Sequence, residues 1–206
     1  TGLSSDPWMN WQIKDLQSRS ILSFSDAHSP AKMGREATVF EIDKTTENLS
    51  YMDIGKAIAN PTENYKVAYT IEFYPEEGKY HYSGHRNCGV VEDPTKVKDS
   101  NHICRVCKRR LTEGVLYRLQ ELSDRSKINP SASLRARDQR SKLDRCDVNW
   151  MHDSEDKRPP FVKLVPLNEI IAESFSSTVT SEKVKKKFDD LCAKFGSEIE
   201  VLLHAP

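Results

Sequence analysis

The chain has 206 residues, is 30% charged and only 37% hydrophobic, and balances 31 Lys and Arg against 31 Asp and Glu. That excludes a uniformly basic surface and a single extensive core, and fits two modest cores, one braced by something beyond apolar packing. Cys146 and Cys192 stand alone, which speaks against a disulfide framework; with no signal-peptide pattern and no membrane-length apolar run, a reducing, cytoplasmic location without a membrane partner is expected.

In chain order, Ser20–Ser25 reads as a short β-type run and Ala37–Ile42 as a second strand. Met52–Ala59 has Ile54 and Ile58 one helical turn apart, and Pro61 closes that helix. Val67, Tyr69, Ile71 and Phe73 alternate with Ala68, Thr70 and Glu72, the pattern of a half-buried strand. Val115, Leu116, Leu119 and Leu122 give helical spacing over Leu111–Leu122. Residues 126–160 are polar and charge-mixed, with little apolar periodicity, and read as an insertion or linker. Leu167, Ile170, Ile171 and Phe175 mark one amphipathic helix. Val184, Phe188, Leu191, Cys192 and Phe195 mark another, capped by Ser181 and ended by Gly196; Ile199–Leu203 reads as a terminal strand.

The strongest chemical signal is His85-x-x-Cys88 followed, after 15 intervening residues, by Cys104-x-x-Cys107. Zinc takes four nitrogen or sulfur donors in a tetrahedron, and a two-residue gap aims both side chains of a pair at one centre. The spacing describes a structural zinc ribbon, and Gly84 and Gly89 flank the first pair as tight turns require. His81, in Tyr80-His-Tyr82, is an alternative ligand to His85. From Lys79 to Arg118 nine Lys and Arg face four Asp and Glu, a local excess that suits a polyanion or a solvated face.

A second constellation, Asp26-x-His28, follows the Ile21–Phe24 run. A carboxylate and an imidazole at a strand's C-terminal end suit a divalent metal at the mouth of an α/β fold. The plainer reading makes both residues shapers of the turn before Pro30.

Several longer stretches carry a family resemblance. They are Thr1-Gly-Leu-Ser-Ser-Asp-Pro7, Met9-Asn-Trp11, Ser25-Asp-Ala-His-Ser-Pro-Ala31 and Gly34-Arg-Glu-Ala-Thr-Val-Phe40. Ile71 to Tyr82, Gly84-His-Arg-Asn-Cys-Gly89, Cys104-Arg-Val-Cys107 and Leu111 to Leu116 continue it; Pro166 to Glu173 and Phe195 to Glu198 complete it. Together they resemble the end of a PHP-type metallohydrolase domain with its following modules, and among such proteins the endonuclease Q family. The resemblance implies an α/β fold with a small zinc ribbon. The expected division is 1–64 as the end of a PHP-type (β/α) barrel, 65–125 as the zinc ribbon, 126–160 as a charged insertion, and 161–206 as a helical region. It implies a metal-dependent DNA repair endonuclease that cuts 5′ of deaminated bases (uracil, hypoxanthine) or abasic sites.

Carried over by residue, the resemblance makes Asp26 and His28 ligands of the catalytic metal centre, for zinc, magnesium or manganese ions. It makes His85, Cys88, Cys104 and Cys107 the structural zinc site. Lys32 and Arg35 are candidate phosphate contacts, with surface ion pairing the alternative; Arg86, Lys108 and Arg109 are candidate DNA contacts. Tyr80 and Tyr82 either stack on bases or pack the ribbon. The early His-x-His of a PHP centre is not in this sequence, and Thr1 stands where a first methionine would, so a cropped portion is expected. The second reading is a catalytically incomplete zinc-ribbon module that binds nucleic acid. No phosphate-binding loop supports an ATP-driven motor, and nothing in the sequence sets an oligomeric state.

Overall fold

A computed structural model describes residues 1–99, 101–123, 139–143, 148–153 and 157–205. Its described elements are an α/β assembly: a five-stranded mixed sheet, a two-stranded hairpin module, and helices packed on both. The sheet order is β1 (Ala37–Ile42), β2 (Tyr65–Glu72), β7 (Phe161–Lys163), β6 (Asn149–Asp153), β5 (Gln139–Leu143). Only β2 and β7 run parallel, with Glu72 opposite Lys163; the remaining pairs are antiparallel.

The Ser20–Ser25 run is not a strand. Side-chain bonds replace a ladder there: the Ser23 backbone N–H donates to Thr38 Oγ1 (2.8 Å), and the Thr38 hydroxyl donates to the Ser23 carbonyl (2.9 Å). Helix α2 (Tyr51–Ala59) forms where the Ile54/Ile58 spacing expects it. Asp53 accepts the Ser50 N–H (2.9 Å) and is paired with Lys44 (2.7 Å), which fixes the first turn; Ala57 is the buried contact of its inner face. Strand β2 departs from simple alternation at its end, where Thr70, Ile71 and Glu72 are all buried. Ile71 packs with Val162 and Leu203 on one face, and the chain's first 23 residues cover the other through Thr1 and Ser23.

Within 126–160, the described residues contribute β5 and β6 to the sheet. Trp150 on β6 meets Tyr69 edge-to-face at 5.0 Å, an anchor that a test for apolar periodicity does not register. The C-terminal region is helical, with α5 (Leu167–Ser174), α6 (Glu182–Phe195) and α7 (Glu198–His204) around Leu167, Ile171, Ala172, Val184 and Val201. Ser181 occupies the cap position of α6, and Gly196 ends that helix at φ 101°. The expected strand at Ile199–Leu203 is instead part of α7. The Ser197 hydroxyl caps it by accepting the Glu200 N–H (3.2 Å), and a capped start with acids in the first turn favours helix over β-branched strand propensity. No described helix is long and apolar enough to cross a membrane.

At one end of the sheet, charges are buried in a row. Asp6 caps α1 (Pro7–Trp11) by accepting the Met9 N–H (2.9 Å) and pairs with Lys163 (2.8 Å). Beside Lys163 lies Glu72, fully buried, and Glu36 flanks the start of β1, whose Ala37 is paired with Ile71. Burial pushes the Glu36 and Glu72 carboxyls each up to about 7; their mutual repulsion adds to the rise at Glu72. An acid held above its ordinary 4.5 keeps its proton when folded in a range where the unfolded chain has released it. Stability contributed by these groups is therefore full below about 4.5 and falls as pH rises to about 7. In melting experiments across that window, Glu36→Gln is expected to flatten the decline and to melt above the parent at pH 8. Parallel curves for the two proteins would contradict it.

Candidate metal centre

Hairpin β3 (Ser83–His85) and β4 (Val90–Glu92) is joined by a tight turn over Arg86–Cys88. Gly89 ends the turn at φ 62°, and a Cβ on Gly84 would stand 2.3 Å from the Val90 carbonyl oxygen, so both glycines are required by the path. The second pair sits on a loop closed by an Ile103–Arg110 bridge, with the Cys104 N–H bonded to the Arg109 carbonyl (2.8 Å) and the Lys108 N–H to the Cys104 carbonyl (3.0 Å). Helix α3 (Pro94–Asp99), which the sequence pattern does not reveal, and α4 (Val115–Leu122) flank the loops. Of the helix expected over Leu111–Leu122, only this latter part forms; Leu111 and Thr112 instead extend the loop pairing.

These loops bring His85, Cys88, Cys104 and Cys107 together, with their donor atoms all within 4.8 Å of one another. His85 Nδ1 lies 3.3 Å from Cys107 Sγ, which identifies the ring nitrogen that faces the cluster. A tetrahedral site with bonds of about 2.0–2.3 Å sets its donors between about 3.3 and 3.8 Å apart, so small adjustments suffice. The local electrostatics fit the same use. Backbone N–H groups of Cys107 and Val106 point at the Cys104 sulfur and hold that thiol below its ordinary value. Burial and the neighbouring thiols push Cys88 up to about 11. The surroundings thus favour thiolate at Cys104 and disfavour it at Cys88, where a bound cation would offset the repulsion. The cluster can hold a metal ion, and its three-thiolate, one-imidazole donor set is one that zinc accepts. Among the described residues it is the one group of three or more metal-ligating side chains that converges in this way.

His81 is not part of it. The ring is buried, with Nδ1 at 3.0 Å from the Ser4 carbonyl, and stacks edge-on against Tyr82. Tyr82 packs with Met9, Leu116 and Leu119, joining the module to α1, whereas Tyr80 is exposed beneath Lys79. Asp26 and His28 are both exposed; His28 Nδ1 lies 2.7 Å from the Asp26 carbonyl, and Asp26 adopts left-handed backbone at φ 46°. No third ligand joins them among the described residues. Lys32 and Arg35 both pair with Glu169 on α5, at 3.4 and 3.2 Å, and the Arg35 guanidinium covers the Phe73 ring. Arg86, Lys108 and Arg109 are exposed at the module's surface, with no carboxylate partner among the described residues.

Two features escaped sequence reasoning. One is the buried Glu36–Glu72 pair, whose residue types give no sign of burial. The other is an open cleft of about 1140 Å³ lined by Trp11 and the cations Arg19, Lys66, Lys157 and Arg158, which come from three separate segments.

Residues 166–206 match the family described as the MJ0043 C-terminal domain. Protein MJ0043 of Methanocaldococcus jannaschii is 30% identical over 208 residues, covering 99% of this chain and 23% of its own length. YqxK of Bacillus subtilis is 30% identical over 128 residues, which is 62% of this chain and 30% of that protein. Two solved structures match the whole chain at 30% identity. One is the lesion-specific endonuclease PfuEndoQ from Pyrococcus furiosus, with a TM-score of 0.73 and 44% of its length covered. The other is endonuclease Q in complex with a 27-mer duplex bearing an abasic lesion at the active site, with a TM-score of 0.74 and 45% covered. The chain therefore spans less than a third of these curated relatives and less than half of these solved chains. Its α/β fold resembles the C-terminal portion of endonuclease Q.

If the cluster is a metal site, cobalt(II) titration should saturate at one equivalent per chain with thiolate charge-transfer absorption. Affinity should rise with pH as the thiols yield protons to the metal. Cys104→Ala should abolish the absorption and lower the melting temperature. An unchanged spectrum in that variant would rule the cluster out.

Proposed function

We propose that this chain is the C-terminal portion of a metal-dependent DNA repair endonuclease, which hydrolyses the phosphodiester 5′ of deaminated bases (uracil, hypoxanthine) or abasic sites. The observation that carries the reading is the match of the entire chain, at 30% identity, to an endonuclease named as lesion-specific and to its complex with lesion-bearing duplex. In this reading residues 1–64 end a PHP-type barrel, 65–125 hold the zinc ribbon, and 161–206 form the helical region behind it. Residues 126–160 are the inserted stretch between them, which adds strands to the sheet.

The Cys₃His cluster holds zinc as a closed structural site: four protein donors leave no position for water or substrate. Its task is mechanical, to fix the loops that carry Arg86, Lys108 and Arg109 toward phosphates. Asp26 and His28 fall short of a multinuclear centre on their own. They supply two ligands to a divalent-metal site (zinc, magnesium or manganese) completed by residues outside this chain. Base extrusion is the expected mode of lesion recognition, since a deaminated or missing base pairs weakly. Lys32 and Arg35 are assigned to holding α5 through Glu169 rather than to DNA.

The alternative, a nucleic-acid-binding module without catalysis, draws on the absence of a third ligand beside Asp26 and His28 among the described residues. Nicking of duplexes with one deoxyuridine, deoxyinosine or abasic site separates the readings. The chain alone should bind and not cut. Its longer protein should cut 5′ of the lesion, and Asp26→Ala should reduce that rate at least about 100-fold with binding retained. Full cutting by the Asp26→Ala protein would refute the catalytic assignment. In binding titrations with the chain alone, replacing Arg86, Lys108 and Arg109 by alanine should shrink the log–log salt slope by about three. An unaltered slope would remove these residues from the interface.

A further inference from the structure

Glu72, fully buried at the end of β2, has three hydroxyls within hydrogen-bond distance: Thr70 Oγ1 at 2.6 Å, Ser23 Oγ at 3.0 Å, which also lies 3.2 Å from the Ile71 carbonyl, and Thr1 Oγ1 at 3.3 Å, which also lies 3.0 Å from the Leu22 carbonyl. Ser23 is itself fully buried, and Thr38 on β1 grips both its N–H and its carbonyl. Ser23 therefore cannot shift without breaking bonds to two adjacent strands. Three residues later the chain reaches Asp26 in left-handed backbone, a conformation that a residue with a Cβ holds only where its surroundings enforce it. Beyond it, the exposed Asp26 and His28 have little packing of their own to fix them. The two strands under Ser23 are the nearest rigid support.

We infer that Glu72 is a positioning residue: through Ser23 it anchors the segment that presents Asp26 and His28. This rests on the assignment of Asp26 and His28 in the proposed function and extends it to a buried residue with no contact to substrate. Burial and the facing Glu36 both favour the protonated form of Glu72, and the hydroxyls around it oppose that. Glu36 faces it from the start of β1; the Arg35 guanidinium and the Thr1 ammonium act on Glu36, and Lys163, opposite Glu72, is paired with Asp6. Glu36 has one carboxyl oxygen, Oε2, without a hydrogen-bond partner, while each Glu72 oxygen has a hydroxyl within hydrogen-bond distance.

The test uses amide hydrogen exchange on this chain, with Glu72→Gln and, because that change could unsettle the sheet end, Ser23→Ala, which deletes one hydroxyl and leaves the carboxylate. Both should raise exchange of the residue 23 amide, the one in this stretch bonded to Thr38, by about tenfold, the loss of one buried hydrogen bond. Amides of the β1–β2 ladder and of the metal module should be unaffected. No change at the residue 23 amide in Ser23→Ala, or an equal rise everywhere, overturns the anchor.

In the longer protein, each variant should lower kcat about tenfold with KM for lesion-bearing duplex unchanged. If Asp26→Ala abolishes cutting while both variants retain the parental kcat, the anchor fails and the assignment of Asp26 stands. If Asp26→Ala cuts normally, the assignment fails and takes with it the functional meaning of the anchor.

Discussion

Burying charge at one end of the sheet is the constraint around which this chain is assembled. Asp6, Glu36, Glu72 and Lys163 come from four stretches far apart in sequence, and each needs partners the others' elements provide. A buried carboxylate without bonds is strongly disfavoured, so the contacts that satisfy this row also specify which strands meet. Lys163 can reach Asp6 only if β7 inserts beside β2, and that parallel pairing joins the C-terminal region to the N-terminal segment. Apolar packing alone would not choose this arrangement, because Phe161 and Val162 would be buried in other registers as well.

The hairpin module meets a different shortage. Its own buried core is Val90, Val97, Cys104, Leu111 and Tyr117, too small to hold highly charged loops against chain entropy. Cys104 belongs both to that core and to the donor cluster, so the candidate metal site and the apolar packing share one residue. The module is then fastened to α1 through Met9, Leu116 and Leu119. In the proposed reading, a module fastened in this way would lower the ordering cost of its exposed Lys and Arg side chains on binding a polyanion.

What the sequence made legible follows from the range of each signal. The four metal donors are spaced by local turn geometry, so they were readable and the structure brings them together. Strands β1 and β2 and helices α2, α5 and α6 carry short-range periodicity and were also readable. Strand β6 was not, because one Trp150 packed on Tyr69 leaves no repeating pattern, and β7 is only three residues long. The α7 segment misled for the opposite reason. Its apolar residues fit either period, and the deciding cap at Ser197 lies outside the apolar run. The choice between His81 and His85 likewise depended on a long-range contact, that of His81 with Ser4.

Cationic residues divide by the same criterion of range. Lys32 and Arg35 looked like phosphate contacts because they follow Asp26 and His28 closely, yet both turn to Glu169, more than 130 positions away. Arg35 is also largely enclosed over Phe73, so reaching a phosphate would require giving up an ion pair and a cation–π contact together. Arg86, Lys108 and Arg109 face no such exchange. Their backbones are fixed by the knuckle turns and their side chains are exposed, Lys108 donating only to the Arg105 carbonyl (3.2 Å), so the attraction of a polyanion would not be offset by the loss of an ion pair among the described residues. In the proposed reading, affinity for nucleic acid would therefore concentrate on the module whose loops the cluster holds, and a metal bound there would serve that surface by fixing it.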